Sequence, residues 1–315
     1  MSLPYPKISE LLHEGKVIPF LGAGVNYGQR LPPGASWRKS APFLPSGVEL
    51  SLYLAKQCNF PLENDRDRKD LAKVASYYEE ALGRDILCEE LHEIFAPVPP
   101  PPDYVPCTIH EYLASVKELR LVITTNYDRL TEQAFAHRPY HLIVHPTDQD
   151  EYGNQVLVWK HDPDNHQAKF NPQPADPSYL DDLIDLEATT VIYKMHGTVA
   201  PEQIDWDSYV ISEDDYIDFL SRMTHNTAIP PIFWRYFHNR SFLFLGYGLG
   251  DWNLRIVLRN VFAKMKSGRR MSWAIQYQPS ELEKDLWGKR NVNIYDLDIN
   301  DFVLGLKTAE SQEFT

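Results

Sequence analysis

Short apolar runs recur along the chain, and each ends in glycine or polar residues. They are Val17-Ile18-Pro19-Phe20-Leu21, Leu119-Arg120-Leu121-Val122-Ile123-Thr124, Thr190-Val191-Ile192-Tyr193-Lys194, Ser241-Phe242-Leu243-Phe244-Leu245, Met271-Ser272-Trp273-Ala274-Ile275 and Val292-Asn293-Ile294-Tyr295-Asp296-Leu297. Runs that are apolar without alternation predict strands buried on both faces, as in a parallel sheet. Between them the apolar spacing turns helical, as in Leu71, Val74, Ala75, Tyr78, Leu82 and again in Ile86, Leu87, Leu91, Ile94, Phe95. Shorter helices are expected over Ile8–Glu14, ended by Gly15, and from Ser212 as a cap, and an amphipathic one carries Leu254, Ile256, Val257, Val261 and Phe262. Alternating strands and helices predict an α/β fold, a doubly wound parallel sheet of about six strands.

The helical block at about 47–118 reads as a subdomain inserted after the first strand, in one domain spanning 1–315. Pro97-Val98-Pro99-Pro100-Pro101-Pro102 must break the preceding helix and reads as a stiff polyproline connector. Leu31–Pro45 reads as a surface loop. A loop or lid excursion is expected at about 137–188, where Pro, Asp, Asn and Gln are dense between Pro146 and Pro177 and Val156-Leu157-Val158-Trp159 is the clear strand-like patch. Leu142-Ile143-Val144 also looks like a strand.

Composition narrows the class. A chain of 315 residues with 43% hydrophobic and 24% charged residues has the make-up of a globular protein with a large core. A formal net charge of −13 argues against a broad nucleic-acid face, which needs clustered Lys and Arg. Cys58, Cys88 and Cys107 are scattered, with no Cys-x-x-Cys pair, so neither a disulfide framework nor a structural zinc site is expected. Met1–Lys16 lacks the pattern of a secretory signal, and no run approaches the roughly 20 apolar residues that span a bilayer. The expectation is a cytoplasmic protein without direct nucleic-acid or membrane partners.

Candidate chemistry sits at the strand ends. Gly22-Ala23-Gly24 follows the first strand, and such a turn aims backbone N–H groups at one spot, usually opening a helix that favours an anion. Thr125-Asn126-Tyr127-Asp128 follows the second strand, where α/β sheets bind ligands, although one of these residues could simply cap the helix through Phe135. Met195-His196-Gly197 follows the third, and an imidazole there can serve as a general base or be a satisfied core residue. Gly246-Tyr247-Gly248-Leu249-Gly250-Asp251 is a second glycine-rich strand end. His137, His141 and His145 recur every four residues, but Pro139 interrupts a helix there and no metal is expected.

Taken in order, Gly22-Ala23-Gly24-Val25, Thr124-Thr125-Asn126-Tyr127-Asp128, Lys194-Met195-His196-Gly197 and Phe244-Leu245-Gly246-Tyr247-Gly248 resemble the sirtuin (silent information regulator) superfamily. The likeness is greater still to the bacterial sirtuin-like domain of antiphage defence systems, and it covers roughly residues 10 to 300. The resemblance implies a Rossmann-like domain that takes NAD as substrate, with a helical subdomain over it. It assigns Gly22, Ala23 and Gly24 to the diphosphate and Gly246, Tyr247 and Gly248 to the adenosine side. Asn126 falls to the nicotinamide ribose as a catalytic group, His196 to a ribose hydroxyl as general base, and Asp128 to the nicotinamide pocket. Val25, Asn26 and Thr125 complete the expected cofactor contacts.

The departures from the family pattern are specific. Three scattered cysteines cannot supply the four-cysteine zinc module of the deacylase branch, and Tyr27-Gly28-Gln29-Arg30-Leu31-Pro32-Pro33 does not match its Pro-Asp-Phe-Arg segment. Asn26 and Gly248 stand where the family often has Ser. The acidic residue usual about 20 positions past the glycine loop has no clear counterpart, Asp296 being a remote candidate. The resemblance therefore implies water as acceptor: an NAD hydrolase releasing nicotinamide and ADP-ribose, acting as a NAD-depleting defence effector. The alternatives are an NAD- or ADP-ribose-binding sensor or scaffold without turnover, or a protein deacylase or ADP-ribosyltransferase. Expected partners are copies of the chain in a homo-oligomer and a separate defence protein, either a HerA-type ATPase, an Argonaute-like protein or a signal-producing protein.

Overall fold

The computed structural model describes residues 3–30, 34–61, 65–96, 108–146, 155–164, 171–200, 203–224, 229–248, 255, 258–259, 261 and 270–313. The expected strands form β1 (Val17–Leu21), β2 (Leu121–Thr124), β6 (Thr190–Lys194), β9 (Ser241–Leu245), β10 (Ser272–Gln276) and β11 (Val292–Asp296). They are joined by β3 (Tyr140–Val144), β4 (Val156–His161) and β5 (Gln173–Ala175) in a nine-stranded sheet ordered β11-β10-β9-β1-β2-β6-β3-β4-β5. Pairing is parallel from β11 to β3, whereas β4 and β5 are added antiparallel. Thus the doubly wound sheet is larger than the pattern predicts, because residues 137–188 contribute three strands to one side of it. A separate two-stranded ribbon pairs β7 (Gly197–Thr198) with β8 (Ser208–Tyr209).

Alternate residues of each central strand enter different cores. Ile18, Phe20, Ile123, Tyr193, Phe242 and Phe244 pack on one face of the sheet. Val17, Leu21, Val122, Ile192, Leu243 and Leu245 pack on the other. Both faces are covered, which explains why the runs read as unbroken apolar sequence. Pro19 sits inside a central strand, where its missing N–H has to be accommodated. It shares the side of β1 that carries Leu21 toward β2, and the β1–β2 register is confined to Phe20 and Leu21.

From β1 the chain leaves to build β2, β6 and β3 on one side, and returns to build β9, β10 and β11 on the other. The strand order therefore reverses beside β1, and α/β sheets hold ligands at the C-terminal ends of the strands flanking such a reversal. Helices at Gly47–Gln57, Leu71–Leu82 and Arg84–Phe95 follow β1 and share a third core containing Leu54, Val74, Tyr78, Leu87, Leu91 and Ile94. The first begins at a capping box, in which Ser46 accepts from the Glu49 N–H and Glu49 accepts from the Ser46 N–H. Tyr127, from the turn after β2, and Tyr209, from β8, enter the same third core and join the helices to the sheet. Arg84 strengthens the joint through Asp215 at 2.9 Å and the Tyr209 carbonyl at 2.8 Å.

Several expected features fall outside the described residues: the polyproline run 97–102, and most of the helix after Gly250. Of the latter, Leu258 and Val261 are described and buried. Among the described residues no helix is long and apolar enough to cross a membrane.

Candidate functional site

The C-terminal ends of β1, β2, β6 and β9 meet under the helical insertion in a cleft of about 1280 Å³. Its lining includes Ala23, Asn26, Thr125, Asn126, Asp128, His196, Gly246, Tyr247 and Gly248. Phe95, Tyr127 and Tyr216 supply apolar wall, and Arg66, Lys69, Asp70, Glu213 and Asp214 supply charge. The volume exceeds that of an ordinary small-ligand pocket and suits an extended ligand such as a dinucleotide.

Two glycine turns close one wall by direct backbone contact. Gly246 has φ of +70°, and a side-chain carbon placed on it would lie 2.2 Å from the Val25 nitrogen. The approach is mutual, for a carbon on Gly24 would lie 2.7 Å from the Gly246 carbonyl oxygen. Hydrogen bonds use the same closeness: the Gly22 N–H donates to the Leu245 carbonyl at 2.9 Å and the Gly24 N–H to the Gly246 carbonyl at 3.0 Å. The Val25 N–H donates to the Gly22 carbonyl at 3.1 Å as a 3₁₀ turn begins at Ala23. Two amide groups expected to face a phosphate, those of Gly22 and Gly24, are thus satisfied within the protein, as is that of Val25. Gly22 and Gly24 bring the two turns together, Val25 is buried in the core, and Ala23 is the part of the turn that lines the cleft.

The other wall is built from side chains. The Thr124 hydroxyl donates to the Leu21 carbonyl and accepts from the Asn126 N–H, both at 3.0 Å, fixing the turn after β2. Asn126 is 7% exposed, and its Nδ2 donates to the Gly22 carbonyl at 3.3 Å. Asp128 uses both carboxylate oxygens, one accepting from the Leu130 N–H and the other from Asn26 Nδ2, each at 3.0 Å. It therefore satisfies the first N–H of the helix Leu130–Phe135 from just ahead of it and orients Asn26 at once. Thr125 meets Tyr247 across the cleft, hydroxyl to hydroxyl at 2.7 Å.

His196 is 8% exposed and lies edge-on to Phe219 and Tyr216, with ring centres 4.9 and 5.7 Å away. Burial among these rings pushes its pKa down from 6.5 to about 4, so the imidazole is neutral at pH 7 and its unprotonated nitrogen can accept a hydrogen bond. Three buried atoms in this wall have no hydrogen-bond partner among the described residues: Asn26 Oδ1, Asn126 Oδ1 and His196 Nε2. Unpartnered buried polar atoms are costly. Three of them on residues lining one cleft mark where a polar ligand would be received.

Sequence reasoning missed Lys194, which is fully buried beneath this wall, and the rings of Phe219 and Tyr216 around His196. The signal for Lys194 was a lone cation closing an otherwise apolar strand two residues before His196. Conversely, Asp296 accepts from the Gln278 N–H at 2.9 Å and does not line the cleft. Among the described residues no group of His, Cys, Asp and Glu side chains is arranged to hold a metal ion.

The doubly wound sheet, its reversal of strand order beside a glycine turn and the polar cleft there define a Rossmann-type α/β protein with a nucleotide-sized site. Residues 120–295, more than half of the chain, match the SIR2-like domain family, and the chain belongs to that family. It is similar to a solved structure described as "Structural Basis for the Mechanism and Regulation of Sir2 Enzymes", with 11% identity, 98% of each chain covered and a TM-score of 0.39. No curated protein matches the chain.

Proposed function

We propose that this protein hydrolyses NAD to nicotinamide and ADP-ribose in the cleft, with Asn126 and His196 as its catalytic residues. Membership of the SIR2-like family supports an NAD-linked activity. The observation that carries the reading is the pair of unpartnered atoms, Asn126 Oδ1 and His196 Nε2, on buried residues that line the same wall.

The chemistry follows from what each group can do. Breaking the bond between the nicotinamide nitrogen and the ribose carbon sends the electron pair to nicotinamide and leaves oxocarbenium character on the sugar. A water oxygen bonds to that carbon, and its proton passes to a neutral base. Asn126 Oδ1 is an acceptor fit to orient the water. His196 Nε2 is a neutral acceptor for a proton from the water or a ribose hydroxyl. Asp128 holds Asn26 in place at the edge of this wall. Ala23, Thr125, Gly246, Tyr247 and Gly248 form the surface on which the rest of the dinucleotide would lie.

The proposal extends to biology. Unrestrained NAD hydrolysis would poison its host, so the chain acts in the cytoplasm as a defence effector held in check by self-association or by a separate partner. The test is nicotinamide release from NAD by the purified chain, with and without the product of a neighbouring gene. Release that disappears in Asn126→Ala and in His196→Ala supports the reading. Tight NAD binding without release under any condition makes the chain a sensor, and release only with an acylated peptide makes it a deacylase.

A further inference from the structure

We propose that Lys194 is a positioning residue that sets the Asn126–Asp128 turn against the His196 turn. This inference rests on the NAD-hydrolase reading for its kinetic consequence, but not for its structural one. Lys194 closes β6 and is wholly buried, and it does not line the cleft. Its Nζ donates to the carbonyl of Tyr127 at 3.2 Å, to the carbonyl of Asp128, and to the Thr198 hydroxyl at 2.9 Å. Glu132 completes the set as an ion pair at 2.7 Å and is itself 4% exposed.

Each partner belongs to a part of the wall. Tyr127 and Asp128 follow Asn126 directly. Glu132 lies in the helix whose first N–H Asp128 accepts, so its link to Lys194 fixes the direction in which that helix leaves the turn. Thr198 lies two residues beyond His196, and Lys194 two residues before it, so one ammonium brackets the histidine. Backbone bonds from Met195 N–H to the Thr124 carbonyl and from Val199 N–H to the Tyr127 carbonyl set the path of the two segments. Lys194 adds a charged link to the carbonyls at the turn itself, where charge-assisted hydrogen bonds are the stronger kind.

The surroundings favour a fixed arrangement over a mobile one. His110 stands close enough to feel both Glu132 and Lys194, and its burial pushes its pKa down to about 4, leaving it neutral at pH 7. The lysine and the glutamate therefore compensate one another in an interior where leaving either alone would be severely unfavourable. A cation so placed has no route to substrate, and its contribution to turnover is geometric. A displacement of about 1 Å at a reacting group can lower a rate about 100-fold.

The test uses the full chain and separates geometry from folding. Lys194→Met leaves Glu132 buried without its partner and is expected to lose stability. Lys194→Met combined with Glu132→Leu removes both charges, a change that is often neutral for stability. If Lys194 positions the turns, the folded double variant binds NAD with unchanged affinity and KM, while kcat falls by about 100-fold. Hydrogen exchange at residues 125–130 speeds up in that variant while the central strands keep their protection. A double variant with wild-type kcat and wild-type exchange at 125–130 overturns the proposal. Should the double variant fail to fold, Lys194→Arg is read in the same way, because a planar guanidinium cannot reproduce the ammonium's three hydrogen bonds together with its ion pair to Glu132. If the wild type itself releases no nicotinamide, the hydrolase reading fails, and the exchange measurement alone decides the role of Lys194.

Discussion

The two glycine turns and the two polar turns occupy one edge of the sheet, and they are held by different means. Gly22–Gly24 and Gly246 meet backbone to backbone, with the N–H groups of Gly22 and Gly24 satisfied by the opposing β9 end. The Asn126–Asp128 and His196 turns are held by side chains: Thr124 from β2, Asp128 within the turn, and Lys194 from beneath. The first pair leaves little room for change. The second carries buried polar atoms with no hydrogen-bond partner among the described residues. One wall is thus a rigid platform and the other a set of aimed groups, which is the division expected when one surface receives a ligand and another acts on it.

The sharpest way to break the comparison is Gly246→Ala. Its new carbon meets the Val25 backbone, and its φ of +70° disfavours any side chain. Neither conflict can be relieved by a rotamer, so a loss of about 4 kcal/mol or more is expected in denaturant unfolding. A loss below about 1 kcal/mol would show that the platform is not rigid.

His196→Ala addresses the other wall. It removes a ring that touches Phe219 and Tyr216, yet it disturbs no backbone contact between turns. Turnover is expected to drop by about 100-fold or more while NAD affinity stays. A variant with lost affinity and retained turnover per bound NAD would invert the two roles.

What the sequence discloses follows the same division. Strand ends marked by Gly-Ala-Gly, Asn126, His196 and Gly246 are visible because their apolar runs, though short, do not alternate and their terminators are chemically distinct. The contact between Gly24 and Gly246 is not visible, since it depends on where two turns more than 200 residues apart come to rest. It also consumes amide groups that a local reading assigns to a ligand. Lys194 is hidden for a related reason: a lysine at a strand end normally reaches water, and only the packing of the helix carrying Glu132 closes that route. The strands at Tyr140–Val144 and Val156–His161 are visible in part, as Leu142–Val144 and Val156–Trp159, whereas their place in the main sheet, and the strand Gln173–Ala175 altogether, are obscured by the polar, proline-rich sequence around them. Two of them pair antiparallel at the sheet margin, where short strands give a weak pattern.

Acid distinguishes the walls more gently, because Gly22–Gly24 and Gly246–Gly248 contain no group that titrates in acid. Unfolded histidine takes its proton near 6.5, whereas buried His196 does so only near 4. Between those values the unfolded chain binds more protons than the folded one, so stability falls as pH falls from about 6.5 to about 4 and is flat above that window. His110 adds a second contribution of the same sign. In His196→Ala the slope should be shallower by up to roughly 1.4 kcal/mol per pH unit. Equal slopes in the two proteins would mean that His196 is hydrated and free to protonate in the folded state.

The smallest effect is expected where the two walls touch. The Tyr247 hydroxyl comes from the glycine turn after β9, donates to the Leu21 carbonyl at 2.9 Å and accepts from Thr125 at the start of the polar turn. Removing it in Tyr247→Phe leaves the Leu21 carbonyl with two other donors, the Thr124 hydroxyl and the Thr125 N–H. The Thr125 hydroxyl faces a cleft open to water and can find a new partner there. The ring keeps its edge-on packing against Phe20, 5.4 Å away, so no cavity forms. The cost should be about 1 kcal/mol or less in thermal or denaturant unfolding, the net value of one hydrogen bond. A loss of about 3 kcal/mol would mean that platform and aimed groups are one cooperative unit joined through this hydroxyl, and the division between the walls would then fail.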